Sequence, residues 1–312
     1  MSNIISFHTG DIHLTDKKPL ARVDEPDWYE AQFRVLRWLY KVTNGHCLFL
    51  GGDTFDSPSV SFKLLNELPF ILDANPAFTV AIAGNHEQPN KNSTGMNTSV
   101  FNTGAWMGLY DSVIEARVTY YKDVCYGCIP YTNSEEEFMQ YVAKVQMADV
   151  IVMHKFVWSS SVNSYVGASE KGNVKYIASL FPNAKVVFTS DNHKGFECEE
   201  TSPRIYNCGM LIRDNADLID YQPRIYALCD DFSVQRINVP IEDDLITDRH
   251  IMKEKQRQES EFVFLKTLSD SKDISYSFSD NLKHYAKGQR SEQYILEKYS
   301  IVKGKELTWE MI

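Results

Sequence analysis

The chain is 312 residues long, with 42 Asp and Glu against 32 Lys and Arg and a formal net charge of −10. At about 150 residues per domain it is one large domain or two smaller ones, long enough to bury roughly three quarters of the surface its unfolded form exposes. A composition 43% hydrophobic and 24% charged is ordinary for a globular protein and excludes a disordered, collagen-like or rod-like coiled-coil chain.

Apolar runs such as 149–153 stop far short of the ~20 residues of a membrane span. The N-terminus enters an apolar run at once through Ile4, Ile5 and Phe7, with no basic leader and no cleavage site, so no secretory signal is expected. Six cysteines (47, 125, 128, 198, 208 and 229) in so long a chain do not make a disulfide framework. A reducing cytoplasm is the expected setting, with no membrane partner. Taken alone, the acidic balance argues mildly against a protein that handles nucleic acid.

The first predicted strand is Ile4–Phe7. Pro26 and Asp27 then open a helix that carries Trp28, Ala31, Val35, Trp38 and Val42 on one face. Cys47–Leu50 is a strand, Ser61–Asp73 a helix and Phe78–Ile82 a strand. Cys125-x-x-Cys128 has no partner pair and reads as a strand and turn with small buried thiols. Ser134 and Glu137 form a capping box ahead of Phe138, Tyr141, Val142 and Val145. Asp149–Met153 and Lys185–Thr189 are again strands, short and rich in Val, Ile and Phe as buried strands are.

Strands alternating with helices predict an α/β architecture with a largely buried sheet. Beyond residue 203 the character changes: Arg204–Asn207, Arg224–Leu228 and Ser233–Val239 read as strands, the last two as a hairpin across Cys229–Phe232. From Ile241 the sequence is charged and mostly helical, with candidate helices at Met252–Leu268, Ser279–Ala286 and Ser291–Tyr299. The expected division is a core of 1–240 and an appendage of 241–312.

The chemistry follows the apolar runs. His8-Thr9-Gly10-Asp11-Ile12-His13 comes after the first, Gly51-Gly52-Asp53 after the second and Gly84-Asn85-His86-Glu87 after the third. The fourth ends at His154, and the fifth at Ser190-Asp191-Asn192-His193. Five strand ends each deliver Asp, His or Asn into a loop, and the carboxyl edge of such sheets is where ligands bind. Oxygen and imidazole donors without thiolate suit Mn²⁺, Fe²⁺ or Zn²⁺. Each piece alone is weak, since a strand-end Asp is often a helix cap and Gly84-Asn85 is a turn sequence. The joint pattern is what points to a metal site.

These motifs resemble those of the calcineurin-like metallophosphoesterases, and the matching elements span about 180 residues, from Asp11 to His193. Within that family, residues 8–14 and 51–56 look most like SbcD-type nuclease subunits of DNA break-processing complexes. The segment 206–213 is similar to that group's closing segment, and the short chain resembles phage-encoded members.

The resemblance implies a four-layer α-β-β-α sandwich with a small, mostly helical C-terminal appendage. It also implies two divalent metal ions, Mn²⁺ before Mg²⁺, with Asp11, His13, Asp53 and His193 holding the first. Asp53 as a bridge, Asn85, His154 and Asp191 would hold the second. Such a pair lowers the pKa of water and clamps the attacking and leaving oxygens at phosphorus. His86 is the expected general acid and Glu87 an orienting or turn residue. His8, Asp16 and Asp56 are candidates for substrate contact or for structure. In one respect the sequence departs from the family pattern: Ser190-Asp191 stands where Gly-His is usual, which makes the second position harder and more anionic.

The implied function is a DNA exonuclease or endonuclease of a repair and recombination complex, in the cytoplasm (a host's, for a phage protein). Its implied partners are DNA, a second copy of itself and an SMC-like ATPase of the SbcC type. The helix at 27–42 is the candidate dimer surface. The appendage, through Phe262, Phe264 and Leu265 or Tyr294, Ile295 and Tyr299, is the candidate grip on a coiled coil. A phosphomonoesterase, a cyclic-nucleotide phosphodiesterase or a non-catalytic scaffold of the same fold are the alternatives. With Asp11, Asp53 and Asp191 assigned to metals, the remaining negative charge implies weak, salt-sensitive DNA binding that a partner must supplement.

Overall fold

The computed structural model describes residues 2–72, 78–91, 95–160, 163–165 and 167–270. Two compact units divide the chain, Met1–Thr247 and Asp248–Ile312.

The first unit contains two six-stranded sheets. Strands β1 (Ile4–Thr9), β2 (Cys47–Leu50), β3 (Phe78–Ile82) and β4 (Asp111–Val113) run parallel in the first sheet. An antiparallel hairpin, β11 (Arg224–Cys229) and β12 (Val234–Asn238), extends it on the β1 side. In the second sheet β6 (Val124–Ile129), β7 (Val150–His154), β8 (Val186–Ser190) and β10 (Arg204–Asn207) are parallel. Antiparallel β5 (Arg117–Tyr121) and β9 (Phe196–Cys198) close its two edges.

Three apolar layers fix the stacking. Between the sheets, Phe49, Val80 and Ile82 pack with Val150, Val152, Val186 and Phe188. On the outer face of the first sheet, Leu48, Leu50 and Ala81 meet Leu36 and Leu39 of α1 (Trp28–Val42) and Leu64 and Leu68 of α2 (Phe62–Leu72). Phe101 of α3 (Val100–Trp106) joins that layer. Outside the second sheet, Ile151, Met153 and Val187 cover Phe138 and Val142 of α4 (Glu135–Val145) and Ile177 of α5 (Val174–Leu180). The result is helices, sheet, sheet, helices: the four-layer sandwich the motifs implied. Central strands buried on both faces read as continuous apolar runs rather than alternating ones.

The helix caps follow their sequences. The Asp27 carboxylate accepts from Glu30 N at 3.1 Å and the Ser134 hydroxyl from Glu137 N at 3.0 Å. Trp28, Ala31 and Val35 are buried in the core of the first sheet. Asp16 tethers the start of α2, accepting from Ser61 N at 2.6 Å and Tyr29 Oη at 2.9 Å.

Of the two roles expected for His8, the structure gives the structural one. Its ring lies fully buried between the sheets, stacked 3.7 Å from the Phe188 ring and 5.0 Å from that of Phe49, with Nε2 paired to Ser6 Oγ at 2.9 Å. Burial lowers its pKa well below the usual histidine range. It is a core residue, because on β1 its side chain faces the second sheet and not the loop.

Residues 241–247 pack within the first unit. Arg22, fully buried, donates to Arg213 O at 2.8 Å, to Glu25 and to Asp244 Oδ1 at 3.1 Å. Arg34 and Arg213 reach Asp244 at 3.0 and 3.2 Å. Two buried carboxylates, Glu25 and Asp244, thereby share three guanidinium groups, with Asp244 touching all three. The second unit begins with α6 (Arg249–Asp270), whose side chains are mostly exposed through Phe262. The expected helices at 279–286 and 291–299 lie outside the described residues, as do the Phe264, Leu265, Tyr294, Ile295 and Tyr299 side chains. No helix among the described residues is long and apolar enough to cross a membrane.

Removing one partner of a buried ionic network strands the others. Asp244→Ala is expected to lower unfolding stability by about 3–5 kcal/mol, read by urea titration. The neighbouring exposed Asp243→Ala should stay within about 0.5 kcal/mol of wild type.

Candidate metal centre

The carboxyl ends of β1, β2, β3, β7 and β8 meet where the two sheets face each other. The loops after β1 and β2 clasp one another: Ile12 N and His13 N both donate to Asp53 O, at 3.0 and 2.9 Å. From β10 the chain returns over them, with Leu211 N donating to Asp11 O at 2.7 Å and Met210 N to His193 O at 3.1 Å. The closing segment thus fixes the two motifs at opposite ends of the site sequence.

Three residues of the loops adopt left-handed backbone conformations that non-glycine residues rarely take: His13 (φ 55°), Asp53 (φ 47°) and Asp191 (φ 72°). Strain of this kind persists only where surrounding contacts over-determine it, and it clusters at functional sites. Gly52 (φ 118°) and Gly84 are required for a different reason. A Cβ at Gly52 would overlap the His154 ring, and one at Gly84 would overlap the Asp53 carboxylate.

Three donor groups lie within 4.8 Å in each of three combinations: Asp11, His13 and His193; Asp11, Asp53 and His154; and His13, Asp53 and His86. Asp11, His13, Asp53 and His154 are all buried, Asp11 completely. His154 Nδ1 pairs with Gly51 O at 3.0 Å, leaving Nε2 facing Asn85 Oδ1 at 3.0 Å and Asp53 Oδ2 at 3.4 Å. His13 Nε2 is buried and makes no hydrogen bond. It lies 3.7 Å from Asp53 Oδ2.

Buried carboxylates with an unpartnered imidazole nitrogen aimed among them fit a divalent cation of hard-to-borderline character. Asp11, His13 and His193 would hold one ion and Asp53, Asn85 and His154 a second. Asp191 enters none of the three triples. Its Oδ1 stands 3.9 Å from His154 Nε2, and its backbone N–H donates to both Asp11 carboxylate oxygens at 3.1 Å.

Asp56 ties two histidines together: Oδ1 is 3.1 Å from His13 Nδ1 and 3.1 Å from His86 Nδ1. Burial raises the Asp56 pKa, but the hydrogen bonds from His13 and His86 outweigh it and hold the carboxyl below its usual range. The same Asp56 hydrogen bond pushes His86 up to about 9. Around His154, burial opposes a charge, yet Asp53, Asp191 and Asp11 raise its pKa well above the ordinary value.

Glu87 is fully buried and accepts from Gly84 N at 2.8 Å and Phe55 N at 3.1 Å, which confirms it as a turn-holding residue. Burial lifts it to about 8. Of the two roles expected for Asp56, its contacts to His13 and His86 favour structure. The signal was its spacing, three residues beyond Asp53 in the same loop.

Comparison with known proteins agrees with this geometry. Residues 7–156 match the family model for calcineurin-like phosphoesterases, which supports that superfamily and a metal-dependent phosphoesterase. The match contains every candidate ligand except Asp191 and His193. Among solved structures, the protein of unknown function AQ665 from Aquifex aeolicus aligns at 16% identity over 51% of this chain and 82% of its own, with a TM-score of 0.33, a likeness that carries no argument. No curated protein matches the sequence.

A cation that binds only the folded state stabilises it by mass action. Mn²⁺ at a hundredfold excess over its Kd should add about 2.7 kcal/mol to the unfolding free energy. Asp53→Ala, which removes one of the two carboxylates that each enter two of the three triples, should lose that gain in a thermal-melt titration.

Proposed function

We propose that the protein is a two-metal phosphodiesterase that cleaves DNA, the nuclease subunit of an SbcCD-like repair and recombination complex. The observation that carries the phosphoesterase part is the pairing of buried ligands with a more exposed histidine. Asp11, Asp53 and His154 are sealed in the floor, while the His86 side chain is 39% exposed at the rim. The DNA substrate, Mn²⁺, a homodimer and an SMC-like ATPase partner are supported by the likeness of residues 8–14 and 51–56 to SbcD-type subunits.

When bound, the cations supply counter-charge for phosphoryl oxygens and acidify water. The chain's own residues do the rest. His86, with Nδ1 held by Asp56 and its backbone N–H donating to Asp53 Oδ1 at 2.9 Å, has Nε2 left to face substrate. The Asp56 carboxylate favours the protonated ring, whose Nε2 proton can be given to the oxygen that leaves phosphorus. Asp56 orients the ring and stabilises its charge, so it is a positioning residue.

The Mn²⁺-loaded full chain should cut single-stranded and hairpin DNA; hydrolysis of a phosphomonoester chromogen alone, with DNA intact, would contradict the nuclease reading. His86→Ala should lower kcat by about 10²–10⁴ with metal content by elemental analysis unchanged. Metal lost from that variant would make His86 a ligand instead of the acid.

A further inference from the structure

A cavity of about 220 Å³ opens beside the candidate centre, with His154 and Asp191 in one wall. It is smaller than the roughly 300–1,000 Å³ of sites for drug-sized ligands. Its other walls differ in chemistry. Phe156 and Tyr165 form an aromatic side, their rings 5.0 Å apart and inclined by 62°, with Tyr165 60% exposed. The same cavity is lined by two cations, Lys155 and Lys171.

Both lysines are arranged around one carboxylate. Lys155 Nζ is 3.7 Å from Glu135 Oε2 and Lys171 Nζ is 3.8 Å from Glu135 Oε1. Tyr176 Oη also donates to Oε1, at 3.3 Å. The Lys155 ammonium lies 3.9 Å from the centre of the Phe138 ring, which fixes its stem against α4. Two ammonium groups share a single carboxylate at more than hydrogen-bond length, so the lysine wall keeps one net positive charge. Each ammonium carries three donors. A tetrahedral anion between them would complete the set.

We propose that this cavity is a subsite for one unpaired nucleotide next to the scissile bond. A flanking phosphate is held by Lys155 and Lys171, whose placement Glu135 controls, and the nucleoside lies against the aromatic wall. Stacking on an aromatic face tolerates any base and takes one that is free of duplex stacking. The inference rests on the phosphodiesterase reading for its substrate, and it specifies an unpaired strand as what the centre receives.

The probe is thymidine 3′,5′-bisphosphate, titrated by calorimetry into the full chain in excess EDTA, so that no metal takes part. Thymidine and inorganic phosphate serve as separate arms. The bisphosphate is expected to bind at least about tenfold more tightly than either fragment. Lys155→Met and the more exposed Lys171→Met should each weaken it about tenfold. Glu135→Gln should tighten it, a direction that a purely structural role for Glu135 would not give. Equal affinity for the bisphosphate and inorganic phosphate would overturn the nucleotide assignment, and unchanged affinity in both lysine variants would overturn the subsite. Hydrolysis of bis(p-nitrophenyl) phosphate with Mn²⁺ reports on the centre separately. Hydrolysis without bisphosphate binding would overturn the subsite alone. Binding without hydrolysis would support the subsite and sink the phosphodiesterase reading.

Discussion

Asp11 and Asp53 have 0% and 1% of their surface exposed, and the seam between the sheets is organised around holding these two carboxylates. A buried carboxylate is tolerated only with hydrogen bonds and a counter-charge. The hydrogen bonds come from backbone: Asp191 N to Asp11, and His86 N to Asp53. The counter-charge comes from histidines, because His154 and His13 pull the Asp53 carboxyl below its usual range against the opposing effect of burial. Imidazoles that pair with carboxylates can equally turn a lone pair to a cation, and His13 Nε2, buried with no hydrogen bond, is one such atom.

That constraint explains the backbone. Asp53 reaches the seam only by leaving β2 in a left-handed turn, preceded by a glycine with no room for a side chain beside His154. His13 and Asp191 leave β1 and β8 in the same conformation. Three strained residues in one small volume are stabilised by what surrounds them: the reciprocal hydrogen bonds of the β1 and β2 loops, the closing segment after β10, and the apolar layer beneath. Asp56 then carries the arrangement outward, since one of its oxygens sets both a candidate ligand, His13, and the candidate acid, His86.

The parts legible in the sequence were those where burial on both faces makes a strand an unbroken apolar run. β1, β2, β3, β7 and β8 are of that kind, and each leads into the site. The unread elements are short or lie at edges. β4 and β9 have three residues each, and β5 alternates between half-buried and exposed positions at the margin of its sheet. α3 and α5, at seven residues, are too short to show a helical period. His8 is structural because strand residues alternate faces. Its neighbours in sequence point to the site, whereas its ring points to the inter-sheet core. Arg22, Arg213 and Asp244 look like ordinary surface charges until the fold brings positions more than 190 residues apart into contact. The pairing of Glu135 with Lys155 and Lys171 is legible only in three dimensions for the same reason.

Net charge is a poor guide to what this surface binds. The chain carries ten more acids than bases, which opposes a polyanion at a distance. At the seam, however, acids are enclosed and matched by imidazoles, and the cavity beside them is lined by two lysines together with Glu135 and Asp191. The potential a phosphate meets on arrival is set by these few groups within a Debye length of about 8 Å, and the rest of the surface is largely screened at physiological salt. An acidic chain is therefore compatible with a phosphate-bearing substrate in the cleft.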